Sequence, residues 1–364
     1  WACGVGWSYW VTWVSYVPSE MIAAGIIMNG FFPEIGTVWW AVFFGLIVTI
    51  LNLFRVDKFG ESEFWLSLVK VTALVAFSVV ALLICLGFIG DEGYIGTRIL
   101  LGSGGFAPNG YASIALTMVI ILVNFQGTEI IGLAAGETAD PARSIPTAVR
   151  NVTWRIISLY IVPITLLISI LPWDHASLSE SVFAAALTEH GFTELAALFS
   201  FVVLTAAISC SNSGLYGAAR TVHALATMGM APRVLEGLSR KGVPSRAIYA
   251  SIIFCWGVIA IYAMNPHSEL YTYLLALSGF SGAMAWISIC WSQYRRRRQL
   301  EADGQVSLLR YRMPFFPYVT LFGIWAQVLC LAFMIFVPEL RSALYIGVPM
   351  LVVPMILYRF LRRG

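Results

Sequence analysis

The sequence predicts an all-α, polytopic membrane protein, and three observations carry that prediction. Only 11% of the 364 residues are charged while 59% are hydrophobic, against roughly a quarter charged in a soluble globular chain. Mean hydropathy is +0.81. The apolar residues gather into ten stretches long enough to cross a bilayer, which takes about 20 residues of helix. Together these exclude a soluble enzyme, a nucleic-acid binder and a disordered tail. An outer-membrane barrel would instead show alternating segments of about ten residues.

The expected spans run at about residues 3–30, 37–54, 62–89, 111–137, 149–171, 193–219, 247–263, 270–293, 318–337 and 342–360. The connections between them alternate in charge. Arg55 and Lys58 follow the second span, Arg143 and Arg150 the fourth. Arg220, Arg233, Arg240, Lys241 and Arg246 follow the sixth, and Arg295 to Arg298, Arg310 and Arg312 the eighth. Arg359, Arg362 and Arg363 end the chain. Of the 22 Lys and Arg, all but Lys70, Arg98 and Arg341 fall on one side. The positive-inside rule makes that side the cytoplasm and places both termini there. The run Arg295–Arg298 reads as a topology and lipid-headgroup anchor at the mouth of a helix. The six cysteines are scattered through apolar stretches with no CxxC pair, so they read as small packing residues.

Ionisable residues at membrane depth are costly, and they are usually functional or paired. Glu20, Lys70 and Glu129 each lie nine or ten residues in from the nearer end of a span. At 1.5 Å per residue that is roughly 13–15 Å deep. Two readings stand: a mutual salt bridge that braces the bundle, or a pathway across the midplane.

The fourth span is the most informative. It carries Gly127, Gly132 and Gly136 beside Asn124, Gln126, Thr128 and Glu129, where a lipid-facing helix would carry Leu and Ile. Glycines let a helix unwind, and unwound backbone at this depth is tolerated where it lines a cavity. Freed N–H groups suit a carboxylate and freed carbonyls an ammonium or cation, so one broken helix can hold both ends of a zwitterion. Tight packing of small residues explains the glycines equally well, but not the polar side chains beside them. Weaker polar patches occur at Thr205 with Ser209–Gly214, which includes Asn212 and Ser213, and at Ser278–Gly282. No Cys/His spacing suits a metal, and no phosphate loop is present, so uphill movement of a solute would draw on an ion gradient.

The stretch Phe125-Gln-Gly-Thr-Glu-Ile-Ile-Gly-Leu-Ala-Ala-Gly-Glu-Thr-Ala-Asp-Pro-Ala-Arg-Ser-Ile-Pro-Thr-Ala-Val-Arg150 resembles the signature of bacterial amino acid permeases of the amino acid–polyamine–organocation superfamily. Further similar stretches are Gly60-Glu-Ser-Glu-Phe-Trp-Leu-Ser-Leu-Val-Lys-Val71, Ser211-Asn-Ser-Gly-Leu-Tyr216, Gly242-Val-Pro244 and Tyr311-Arg-Met-Pro314. The likeness covers the whole chain, and spans four to eight are most similar to lysine and S-methylmethionine permeases.

The resemblance implies a fold of two inverted five-helix repeats plus two helices. Trp1 already lies in an apolar span, so the ten spans would be family helices 3 to 12. The expectation is a chain lacking the first two helices and inactive alone. The resemblance further implies that Phe125, Gly127, Thr128 and Glu129 line an amino acid site, with Phe125 as a gate or stacking surface. Lys70 would support proton coupling, and Glu20 would shape specificity. Asn212, Ser213 and Ser278 are candidates for the substrate pathway.

The function so implied is secondary active, proton-coupled amino acid uptake by alternating access in the bacterial inner membrane. A proton gradient would be its energy source, with no organic or metal cofactor and no nucleic-acid partner. The rival is a non-transporting amino acid sensor of permease-like fold. A sensor is expected to carry a large cytoplasmic extension, and the few residues after the last span point to transport. An intramembrane enzyme would need a nucleophile–base pair at one depth, and no intramembrane His or paired Asp is available for it.

Overall fold

In the computed structural model the described residues form fourteen α-helices and short 3-10 and π turns, with no strand among them. The structure describes residues 1–364 except 54–55, 91–92, 103, 135–139, 177–180, 240–241, 267–269, 310 and 362–364. Arg55, Gly136, Arg240, Lys241, Arg310, Arg362 and Arg363, used above for orientation and for the fourth span, lie outside the described residues.

The helices are α1 (Ala2–Phe31), α2 (Thr37–Leu53), α3 (Val56–Cys85), α4 (Arg98–Gly102), α5 (Tyr111–Val123), α6 (Ile130–Ala134), α7 (Pro141–Ile156) and α8 (Val162–Ile170). They continue with α9 (Val182–Glu189), α10 (Thr193–Thr227), α11 (Ser245–Met264), α12 (Leu270–Ala302), α13 (Tyr318–Phe333) and α14 (Pro338–Leu361). A π turn, Ile157–Ile161, joins α7 to α8. Eight helical segments are long and apolar enough to cross a membrane, and α2 is a shorter apolar helix of 17 residues.

In the fourth span, where the glycines allow unwinding, the described residues form two helices, α5 and α6, separated by a turn segment. Hydropathy also misplaces several ends. The third helix begins at Val56 rather than near 62, and α12 runs to Ala302 through all four arginines. Hydropathy detects the part of a helix that lipid covers, whereas backbone hydrogen bonding carries the helix on into the charged layer.

Four helices make the scaffold, since α1, α2, α10 and α11 all pack on one another. Around them, α12 packs on α1, α5, α13 and α14, and α3 packs on α10 and α8. Two-thirds (67%) of the apolar window of α1 is buried, against 17% for α3 and for the α13 segment, so α1 is central. Its sequence explains why. Ser8, Thr12, Ser15 and Ser19 recur every three or four residues and are buried, giving α1 a narrow face that admits a close neighbour. On another face of α1, the Trp13 ring lies over Gly214 and Gly217 of α10, where an added Cβ would come within 3.0 Å and 3.3 Å of it.

Pro18 lies inside α1 and lacks the N–H that would bind the Val14 carbonyl. The Cys255 thiol approaches that oxygen at 4.0 Å, so a neighbouring helix meets the freed acceptor. Outward, Tyr318, Phe322, Trp325 and Leu329 form an exposed stripe on α13 at helical spacing, a surface suited to lipid.

Candidate functional site at the broken helix

The break spans residues 124–129, between α5 and α6. The helix tightens as it ends, with the amides of Asn124 and Phe125 donating three residues back to Ile121 and Leu122. Gly127 then takes φ +99°, outside what a side-chain-bearing residue tolerates. Unwinding strands polar backbone groups, and local side chains meet them. The Thr128 hydroxyl donates to the Phe125 carbonyl at 3.3 Å, and the Gly127 amide donates to both Glu129 carboxylate oxygens at 3.2 and 3.1 Å.

Glu129 is the hub of this segment. Besides Gly127, its carboxylate accepts from the Tyr9 hydroxyl of α1 at 3.0 Å and from the Trp286 indole of α12 at 3.1 Å. A carboxylate held by three donors from three segments is fixed in position, and charge-assisted bonds of this kind are among the stronger ones. Three residues earlier, the Gln126 amide and Ser278 bond reciprocally. Gln126 Nε2 donates to the Ser278 carbonyl at 2.9 Å, and the Ser278 hydroxyl donates to Gln126 Oε1 at 3.0 Å. The same hydroxyl also reaches the Thr12 carbonyl of α1 at 3.1 Å. Phe125 stacks on Tyr160 of the π turn, with ring centroids 5.3 Å apart. Thus α1, α12 and the π turn all hold side chains of the break, α12 holding two of them.

A second polar cluster lies between α2, α3 and α10. Lys70 Nζ donates to the Ser209 hydroxyl at 2.8 Å, and that hydroxyl donates to Glu63 Oε2 at 2.6 Å. Glu63 Oε1 accepts from Asn212 Nδ2 at 2.8 Å, and Asn212 Oδ1 accepts from Asn52 at 2.7 Å. Glu20 of α1 is half-buried, with Tyr16, Cys210, Tyr271 and Lys70 in its electrostatic surroundings. Ser213 is half-buried on α10 next to Asn212, and Thr205 bonds only its own helix among the described contacts.

The three ionisable residues expected at one level therefore divide. Glu129 joins the Tyr9 network and Lys70 the Ser209 network. Tyr9 and Glu20 are eleven residues apart on α1, about 16 Å along its axis. Through its bond to Tyr9, Glu129 lies nearer the level of Tyr9 than that of Glu20.

Sequence reasoning missed Tyr9, Trp286, Asn52 and Glu63 as site residues. Glu63 lies two turns from Lys70 on one face of α3, and that spacing was the available signal. Tyr9 and Trp286 look like ordinary aromatic packing residues in the sequence.

Two open clefts of about 690 and 720 Å³ lie away from the break. They run along the first turns of α1 and the end of α14, near Cys3, Met230 and Tyr358. Among the described residues no group of three or more His, Cys, Asp or Glu is placed to hold a metal.

An all-helical membrane bundle with one helix broken at a tethered carboxylate defines a polytopic membrane protein of the transporter class. The family model for amino acid permeases matches residues 1–363, and the chain belongs to that family. It is 35% identical to the amino-acid permease RocC of Bacillus subtilis (strain 168), over 96% of this chain and 75% of that protein. It is 36% identical to the gamma-aminobutyric acid permease of the same organism, over 93% and 72%. To the lysine-specific permease LysP of Escherichia coli (strain K12) it is 38% identical, over 90% and 68%. The family is one of membrane transporters rather than enzymes.

Proposed function

We propose that this protein is a secondary active transporter that takes up an amino acid across the bacterial plasma membrane by alternating access, driven by a proton gradient. Both ends of the chain face the cytoplasm in this reading, in keeping with the charge of its connections. The observation that carries it is the break at residues 124–129, where backbone and the Glu129 carboxylate are presented between α1 and α12. Phe125, Gly127, Thr128 and Glu129 line the amino acid site, and Glu20, Asn212, Ser213 and Ser278 border the route. Lys70 couples the proton to the movement of the route as it opens to one side and then the other. One charge moved through about 100 mV yields about 2.3 kcal/mol, which supports roughly fifty-fold accumulation of a neutral zwitterion.

The test is uptake in proteoliposomes by the protein expressed from its own gene. The panel comprises the labelled common L-amino acids and γ-aminobutyrate, with and without a pH step. Uptake that rises with the pH step supports the proposal, and binding without flux would move it to a sensor. Lys70→Met keeps length and apolar stem but removes the amine. It is expected to retain exchange of labelled amino acid and to lose concentration on a pH step. Unchanged pH-driven accumulation in that variant would refute the coupling role of Lys70.

A further inference from the structure

We propose that Glu63 is the proton acceptor that drains Lys70 toward the cytoplasmic side, with the Ser209 hydroxyl as the relay between them. The proposal rests on the reading of Lys70 as the proton-coupling group and adds the path by which its proton leaves. Three features of the cluster carry it.

The first is polarity. A hydroxyl has one proton to give and lone pairs to receive with. Ser209 receives from Lys70 at 2.8 Å and gives to Glu63 at 2.6 Å, so both links point the same way. The second is isolation. Ser209 is 1% exposed while Lys70 and Glu63 are each half-buried, so the hydroxyl is the dry middle of a two-ended chain. The third is orientation. Asn212 occupies the other Glu63 oxygen and is itself held by Asn52, which also donates to the Val48 carbonyl at 3.1 Å. Two amides from two helices thus fix the carboxylate with one oxygen aimed at Ser209. Glu63 lies two turns nearer than Lys70 to the end of α3 that the basic connections assign to the cytoplasm.

The step balances without any co-reactant. Lys70 ammonium gives one proton to Ser209 Oγ as the Ser209 proton passes to Glu63 Oε2. Lysine becomes the neutral amine, serine is unchanged, and Glu63 becomes the neutral acid. Glu63 then releases that proton to cytoplasmic water, and Lys70 is recharged when its surroundings open to the other side. The other titratable groups facing this cluster are Glu20 and Tyr16 of α1, Cys210 of α10 and Tyr160 of the π turn.

A bracing role for Glu63 predicts something different, since a brace affects folding and leaves coupling intact in the protein that survives. The experiment compares wild type, Lys70→Met, Glu63→Gln, Ser209→Ala and Ser209→Thr in proteoliposomes. It measures exchange of the labelled amino acid that the wild type accumulates, its accumulation after a pH step, and internal acidification by trapped pyranine. Glu63→Gln and Ser209→Ala are expected to exchange label while accumulation falls from tens-fold to near equilibrium. Ser209→Thr, which keeps the hydroxyl, restores both accumulation and acidification. Wild-type accumulation in Glu63→Gln or Ser209→Ala, with Lys70→Met uncoupled, overturns the relay and leaves the role of Lys70 standing. Wild-type accumulation in Lys70→Met removes that role and the relay with it. If Glu63→Gln does not fold, the serine pair decides, because both serine variants leave Glu63, Asn212 and Asn52 in place.

Discussion

Gly282 of α12 offers the sharpest test of how the break is held. A Cβ built there overlaps the Gln126 amide, the group paired with Ser278. In an open helix, Gly→Ala gains up to about 1 kcal/mol. Here the methyl must expel the Gln126 side chain and with it two hydrogen bonds, each contributing a net 0.5–1.5 kcal/mol or so. Gly282→Ala is therefore expected to destabilise by up to about 2 kcal/mol once the helix gain is subtracted. Gln126→Ala loses the same two bonds and costs about 1–3 kcal/mol. With the Gln126 side chain gone the methyl has room, so adding Gly282→Ala to Gln126→Ala should be neutral or stabilising. The sign of the second substitution reverses with the background. Unfolding in detergent across the four proteins of the cycle measures this coupling, which independent sites would not show beyond about 0.3–0.5 kcal/mol. Additive costs would mean that Gln126 does not sit against Gly282 and that the break is held some other way. Uptake by the same four proteins reports whether this tether matters to transport.

Gly127→Ala meets open space but requires φ +99°, so its cost is backbone strain alone, about 1–3 kcal/mol. Gly132→Ala, also in open space but within α6, should be neutral or slightly stabilising, and equal costs for the two would refute the assigned break. Gly214→Ala places a methyl 2.8 Å from Val17 and 3.0 Å from Trp13, and overpacking there should cost about 1–3 kcal/mol in thermal unfolding. A Gly214→Ala protein as stable as wild type would show that the α1–α10 contact is loose. Glu129→Gln keeps the shape of the hub but weakens bonds from Tyr9 and Trp286. It should express and fold near normally while uptake falls severely, whereas joint loss of fold and uptake would favour a bracing carboxylate.

The sequence made some of this legible and hid the rest for physical reasons. The membrane class was plain, because the deficit of charge is a property of composition and no tertiary contact can reverse it. The break was legible too, since Gly127 and its polar neighbours stand out against Leu and Ile at that depth. Which groups meet was much less so. Lys70 finds Ser209, which is 139 residues away, and Glu129 finds Trp286, which is 157 residues away. No local period links such pairs. Gln126 and Ser278 each stood out as polar residues within apolar spans, but only their reciprocal bond gives them a common task. Nor does counting residues along separate spans show which ionisable groups share a network, since Glu129 meets Tyr9, eleven residues from Glu20 on α1.

The division of the ionisable residues into two networks has a mechanical consequence. The Glu129 network is built from the break, α1 and α12, and the Lys70 network from α2, α3 and α10. Among the described residues no hydrogen bond joins the two clusters, so the proposed linkage between substrate and proton would pass through the helices that carry them. Two routes exist on α1. One is the packed seam in which Trp13 and Val17 lie over Gly214 and Gly217 of α10, one turn from Tyr9 at one end and from Asn212 and Ser209 at the other. The other is Glu20, which shares its surroundings with Lys70. A close-packed seam has few intermediate positions, so in the proposed transport cycle a shift of α1 would be transmitted to α10 rather than absorbed. Small residues at that seam therefore serve more than close packing: they bring α1 and α10 into direct contact between the two networks.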